Sequence, residues 1–287
     1  MSKSPAFYRC TSVSLMIALL AGVFIFALAC SSPTGPAPSP SPSAVPISPT
    51  VANLTGTWKN TKLLPAGGAV AYGLAGESTF EFQYQFGADG SLSAKTSYVE
   101  TAAGGKQYFV ECKGTYTTGD FSVAISFTQS RISTTPFTDD SSGWTTGVSK
   151  TTGNYCLYDG KLFAFVKADG AVDGLVGTWV NDLTTESSGS TSFIRAKLTI
   201  AADKTISAAT YSGNPLPAAP YLTVSGTWAA NSDGSISATM DTVTPSSGNS
   251  AYDTMYNGLY SVRYGRIGDY LVMGTTNAWD GGAFTKQ

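Results

Sequence analysis

The chain is predicted to be all-β: two tandem antiparallel meander barrels behind an export signal and a stiff proline-rich spacer. Three observations predict this. Apolar and polar residues alternate at a period of two along most of the body. The body repeats itself, with its landmarks in the same order. No window of the body carries the apolar period of an amphipathic helix.

The export signal covers residues 1–29. Lys3 and Arg9 supply a positive start, Val13–Ala29 is an apolar run, and small residues lead into Cys30. A spanning helix needs roughly 17–25 such residues, so an uncleaved anchor is the alternative. Residues 30–53 are rich in proline and serine. They cannot build a core and favour extended polyproline II at about 3.1 Å per residue. The spacer is therefore expected to be a disordered tether.

The remaining chain divides into two copies, 54–170 and 171–287. Leu54-Thr55-Gly56-Thr57-Trp58-Lys59-Asn60 recurs as Leu175-Val176-Gly177-Thr178-Trp179-Val180-Asn181. Phe86–Ala94 recurs as Ile200–Ala208, and Gly114-Thr115-Tyr116 as Gly226-Thr227-Trp228. Tyr155 and Leu162 match Tyr264 and Leu271, and Ala164-Phe165-Val166-Lys167 answers Ala283-Phe284-Thr285-Lys286. A polar turn sequence, Ala168–Gly174, separates the copies.

Strand phases follow from the alternation. Phe80, Phe82, Tyr84 and Phe86 share one face, as do Ile194, Ala196, Leu198 and Ile200. Leu92, Ala94, Thr96 and Tyr98 continue the pattern, then Val110, Cys112, Gly114 and Tyr116, then Phe121, Val123, Ile125 and Phe127. In the second copy Leu222, Val224, Gly226 and Trp228, then Ile236, Ala238 and Met240, keep the same phase. Asp89-Gly90 and Asp233-Gly234 supply turns that need positive φ. Many short antiparallel strands favour closure, which removes exposed edges.

Composition excludes several functions. The formal net charge is −2 and no basic cluster exists, so nucleic acid is not expected as a partner. There is no histidine, so Ser-His-Asp and Cys-His nucleophile sets are impossible. Spacing forces no pair among Glu81, Glu100, Glu111, Asp139 and Asp140 together. Asp139–Gly143 lacks the ligand spacing of a calcium loop. The chain is expected to be no enzyme and to need no cofactor or metal. Cys112 and Cys156 remain in the exported body, where they either pair or stay as buried thiols. Pairing is the expectation.

Ala27-Leu28-Ala29-Cys30 resembles the lipobox of bacterial lipoproteins, with Leu28 one place nearer the cysteine than usual. The resemblance implies acylation of Cys30, attachment to a membrane by palmitate-type chains, and a place in the bacterial cell envelope. Ser31 fits the outer membrane, on its periplasmic or surface face. Gly56-Thr57-Trp58 and Gly177-Thr178-Trp179, each opening an antiparallel module, resemble the Gly-X-Trp motif of the calycins: lipocalins, fatty-acid-binding proteins and avidins. That resemblance implies a lipocalin-like barrel in each copy, with Trp58 and Trp179 packed across a closed end. Asn181 follows Trp179 at the spacing of avidins. The tryptophans that stack on their ligand are not identifiable, so the motif marks shared architecture. Two functions follow. The barrels hold a small hydrophobic ligand, for which no residues can be named, or filled barrels contact a protein or glycan through their loops. The smaller residues at Ala196, Ala208 and Ala238 make the second copy the one to hold space.

Overall fold

Strands form where the alternation runs, and turns form where Asp, Asn and Gly interrupt it. The computed structural model describes residues 45–64, 78–100, 106–138, 142–187, 189–220, 222–245, 260–274 and 284–287. The signal, Cys30, most of the spacer, Asp139 and Asp140 lie outside the described residues.

A single helical turn, α1 (Val51–Leu54), precedes fifteen strands among the described residues. The first copy contributes β1 (Gly56–Leu64), β2 (Ser78–Phe86), β3 (Ser91–Glu100), β4 (Lys106–Gly119), β5 (Ser122–Ser133), β6 (Thr145–Tyr158) and β7 (Lys161–Ala168). The second contributes β8 (Gly177–Ser187), β9 (Ser190–Ile200), β10 (Thr205–Gly213), β11 (Leu222–Ala230), β12 (Ile236–Pro245), β13 (Tyr260–Ile267), β14 (Tyr270–Gly274) and β15 (Phe284–Lys286).

All of these strands belong to one antiparallel sheet that closes on itself. Its hydrogen bonds trace two circuits. From β1 they run through β2, β3, β4, β5 and β6 to β7, then through β15 back to β1. From β7 they run through β8 to β14 and return to β7. What was expected as two modules in tandem is one sheet whose circuits share a strand.

The shared strand changes partners midway. Lys161–Ala164 pair with Tyr155–Tyr158 of β6, and Lys161 and Leu162 also with Thr285 and Phe284. Phe165–Lys167 pair with Tyr270–Val272 of β14, while Lys167 and Ala168 pair with Val180 and Trp179. The copies thus exchange their last strands. The end of β7 lies beside Trp179 in the second circuit, and β15 lies beside Trp58 in the first. Phe284↔Leu162 and Thr285↔Lys161 repeat Val166↔Leu271 and Lys167↔Tyr270. This register equates Thr285 with Lys167, one residue out of step with the sequence match.

Burial follows the circuits. One cluster, from Leu54 and Trp58 to Leu157 and Leu162, fills the first. A second, from Val166 and Trp179 to Tyr264 and Leu271, fills the second. A third joins them: Cys156, Phe163, Phe165, Ile267 and Val272, with Phe121, Tyr158 and Tyr270 against it. Phe165 and Tyr270 stack at 4.0 Å between ring centroids. Phe121 corrects its expected place. It has a positive φ of 47° in the turn before β5 and packs on Tyr270 at the junction, 5.1 Å between centroids, not inside the first circuit.

The duplicated glycines have one cause. At Gly114 and at Gly226 the ladder shifts register by a bulge. A Cβ at either would lie 1.9 Å from the carbonyl oxygen of Ser126 or Thr239, so only glycine fits.

The end of the expected spacer is packed on the fold. Ile47 exchanges both backbone hydrogen bonds with Leu157, each 2.8 Å. Ser48 Oγ donates to the Gly119 carbonyl and accepts from the Phe121 amide. Thr50 and Asn53 cap α1 reciprocally.

Candidate functional site

The floor of each circuit is the Gly-X-Trp motif. Gly56 and Gly177 have φ of 130° and 145°, in the region that favours glycine. Trp58 and Trp179 are fully buried, and their indole Nε1 atoms donate to the carbonyls of Leu54 (2.6 Å) and Leu175 (3.0 Å), each four residues back. The next landmark is duplicated too. Tyr116 Oη donates to the Gly87 carbonyl (2.8 Å), and Trp228 Nε1 donates to the Ala201 carbonyl (2.9 Å).

Above the floor the two interiors can be compared row by row. In the first circuit Trp58, Tyr84, Ala94 and Cys112 are register partners in turn; the second has Trp179, Leu198, Ala208 and Val224. One level up, Asn60, Phe82, Thr96 and Val110 answer to Asn181, Ala196, Thr210 and Leu222. Across the wall, Ile125 and Phe127 answer to Ala238 and Met240. The first interior is richer in aromatic rings and phenols; the second has a smaller residue at Ala196, Leu198, Ala238 and Met240.

Electrostatics sharpen the contrast. Burial holds the Tyr84 phenol well above its ordinary value, and Tyr155 and Cys112 add to this. Burial pushes Tyr155 up to about 12. The second circuit keeps one of these groups, Tyr264, also pushed up by burial. Such groups stay neutral at ordinary pH.

Cys112 and Cys156 do not form the expected disulfide. Cys112 points into the first interior, opposite Ala94. Cys156 lies between the inward-facing Tyr155 and Leu157, so its side chain takes the other face and packs in the junction against Phe163. Thiols on opposite faces of the wall cannot meet bridging geometry. Burial pushes the Cys156 thiol up to about 12.

Of the carboxylates, Glu111 is committed to a structural cluster on the outer face. Arg131, 4% exposed, donates through Nε to Glu111 Oε2 (2.9 Å) and through a terminal nitrogen to the Ser142 carbonyl (3.2 Å). Its guanidinium sits over the rings of Phe137 (4.0 Å) and Trp144 (4.5 Å). Lys95 pairs with Glu111 at 2.9 Å. Burial alone would raise the Glu111 carboxyl, but Lys95 and Arg131 outweigh it and leave it below its ordinary value. Glu81 is exposed. Among the described residues no group of three or more His, Cys, Asp and Glu is placed to hold a metal, and no helix is long and apolar enough to cross a membrane.

Sequence reasoning missed buried polar residues, Arg131 and Thr210 among them. Arg131 sits on an outward strand position and is covered by the rings of Phe137 and Trp144. Thr210 is 1% exposed inside the second circuit, and its Oγ1 has no hydrogen-bond partner among the described residues. Its place opposite Ala196 was available from the alternation of β10. Compared with known proteins, the chain matches no family model, no curated protein and no solved structure.

Proposed function

We propose that this chain is an envelope lipoprotein, anchored through Cys30, whose sheet forms two lipocalin-like barrels of eight strands each, sharing β7. The first barrel is a filled support. The second binds a small hydrophobic molecule. One observation carries the binding reading: where the first interior has Phe82, Ile125 and Phe127, the second has Ala196, Ala238 and Met240. Apolar side chains with a few placed polar groups are the usual make-up of such sites. Native mass spectrometry of the mature protein, with titration of apolar dyes, tests this. A co-purifying small molecule or saturable dye binding is expected; neither appearing counts against it. The anchor has its own test. Cys30→Ser is expected to move the protein from the membrane fraction to the soluble one.

A second reading is supported by the outer cluster around Arg131, which fixes the approach to β6 on the first barrel. Filled barrels would present loops to a protein or glycan. Protease protection of the body on intact cells would remove the surface-exposed form of this reading.

A further inference from the structure

We infer that the Thr210 hydroxyl is the polar contact of a binding site inside the second circuit, and that this site takes a small, mainly apolar molecule bearing one hydroxyl or carbonyl. The inference rests on the binding reading above and adds the place and the chemistry.

Thr210 is on the inward face of β10, in phase with Ile206 and Ala208, and is 1% exposed. A buried hydroxyl without a partner costs about 1–3 kcal/mol, so natural interiors rarely keep one. Its Oγ1 has none among the described residues. Its two register neighbours, Ala196 and Leu222, have no polar side-chain atom to offer. The matching threonine of the first circuit, Thr96, stands beside Phe82 and is only half-buried. In the second circuit the phenyl ring is replaced by the methyl of Ala196, so Thr210 faces the shorter side chain. Asn181, beyond Ala196 in the same row, already accepts a hydrogen bond from Asn154 Nδ2 at 3.1 Å. The Thr210 hydroxyl is thus a buried polar group with no hydrogen-bond partner among the described residues, and it can donate to a carbonyl or accept from an alcohol. The aliphatic surroundings, Leu198, Leu222 and Ala238, suit the remainder of an apolar molecule.

Two measurements on the mature chain test this. Thr210→Val removes the hydroxyl at nearly constant shape. Without ligand, its Tm is expected to stay level or rise. A clear fall would show that the hydroxyl has a protein partner and would overturn the inference. Binding is then measured with benzyl alcohol and toluene, which match in size and differ by one hydroxyl. Thr210→Val is expected to weaken benzyl alcohol about fivefold to tenfold, the worth of one hydrogen bond, and to leave toluene unchanged. Ala196→Phe, which restores the first circuit's ring, is expected to exclude both probes. Equal loss of both probes in Thr210→Val overturns this inference and leaves the binding reading standing. Failure of benzyl alcohol alone to bind the unsubstituted protein overturns this inference, and failure of both probes overturns the binding reading as well.

Discussion

The two circuits share a plan down to single hydrogen bonds and differ in their contents. Both seat an indole on a carbonyl four residues back, both bulge at a glycine in the fourth strand, and both receive a closing strand from the other copy. Inside, the first carries Phe82, Tyr84 and Phe127 where the second carries Ala196, Leu198 and Met240. Walls and floors answer to backbone geometry, which tolerates few alternatives. Interiors answer to total volume and polarity, which many residue sets satisfy. Duplication therefore preserved the frame and released the contents.

The sharpest way to break that contrast is to exchange interior residues. Phe82→Ala is expected to lower the stability of the protein by about 3–5 kcal/mol, because a filled interior is left with a cavity. Ala196→Phe is expected to change it by less than about 1 kcal/mol if the second interior has room, whereas overpacking would cost about 1–3 kcal/mol. Urea unfolding of both variants gives the comparison; a large loss in both would make the interiors equally full.

Removing Phe284–Gln287 tests the exchange itself. The first circuit loses the pairs at Trp58, Lys59, Lys161 and Leu162, together with the hydrogen bond from the Gln287 amide to the Thr57 carbonyl. Among the described residues the strand pairs of the second circuit are untouched. Calorimetry is expected to show an earlier transition, with Trp58 reporting the change and Trp179 unaffected by it. Equal disturbance of both tryptophans would mean that the shared strand, not the closing strand, sets the stability of the first half.

The smallest effect concerns pH. Tyr155 and Cys156 have ordinary values of 10.0 and 9.0 and are both pushed up to about 12 in the folded protein. A raised folded value means that the unfolded chain releases its proton first. The stabilisation is then complete below about 9 and is lost as the pH climbs toward 12. Tyr84, also raised, adds to the alkaline loss. Tyr84→Leu, which copies the second interior, is expected to flatten the decline of Tm over that range. Cys156, 0% exposed, is expected to resist thiol reagents at neutral pH until the protein unfolds.

Much of the frame was legible in the sequence. Alternation set the inward faces of β2, β3, β9 and β11, and the repeated Gly-Thr-Trp and Asp-Gly landmarks aligned the copies. The exchange of closing strands was not legible, and for a physical reason. Both copies offer the same edge at the same register, so pattern alone cannot say which strand closes which circuit. The face of Cys156 was hidden because Tyr155-Cys156-Leu157 is apolar on both sides, as a strand between two cores must be. Phe121 continued the alternation of β5 but sits in a turn, where φ is positive. Arg131 lies under aromatic residues contributed by a loop, which no strand periodicity predicts.

The crossing at β7 also has a hereditary consequence. In most tandem repeats a copy can be lost by recombination, leaving a shorter protein that still works. Here a gene encoding only one copy would have to turn its own last strand back to seal its wall. Reciprocal closure means that losing a copy requires re-forming the seam. It leaves each lineage free to alter what one half contains, provided that the other half remains to seal it.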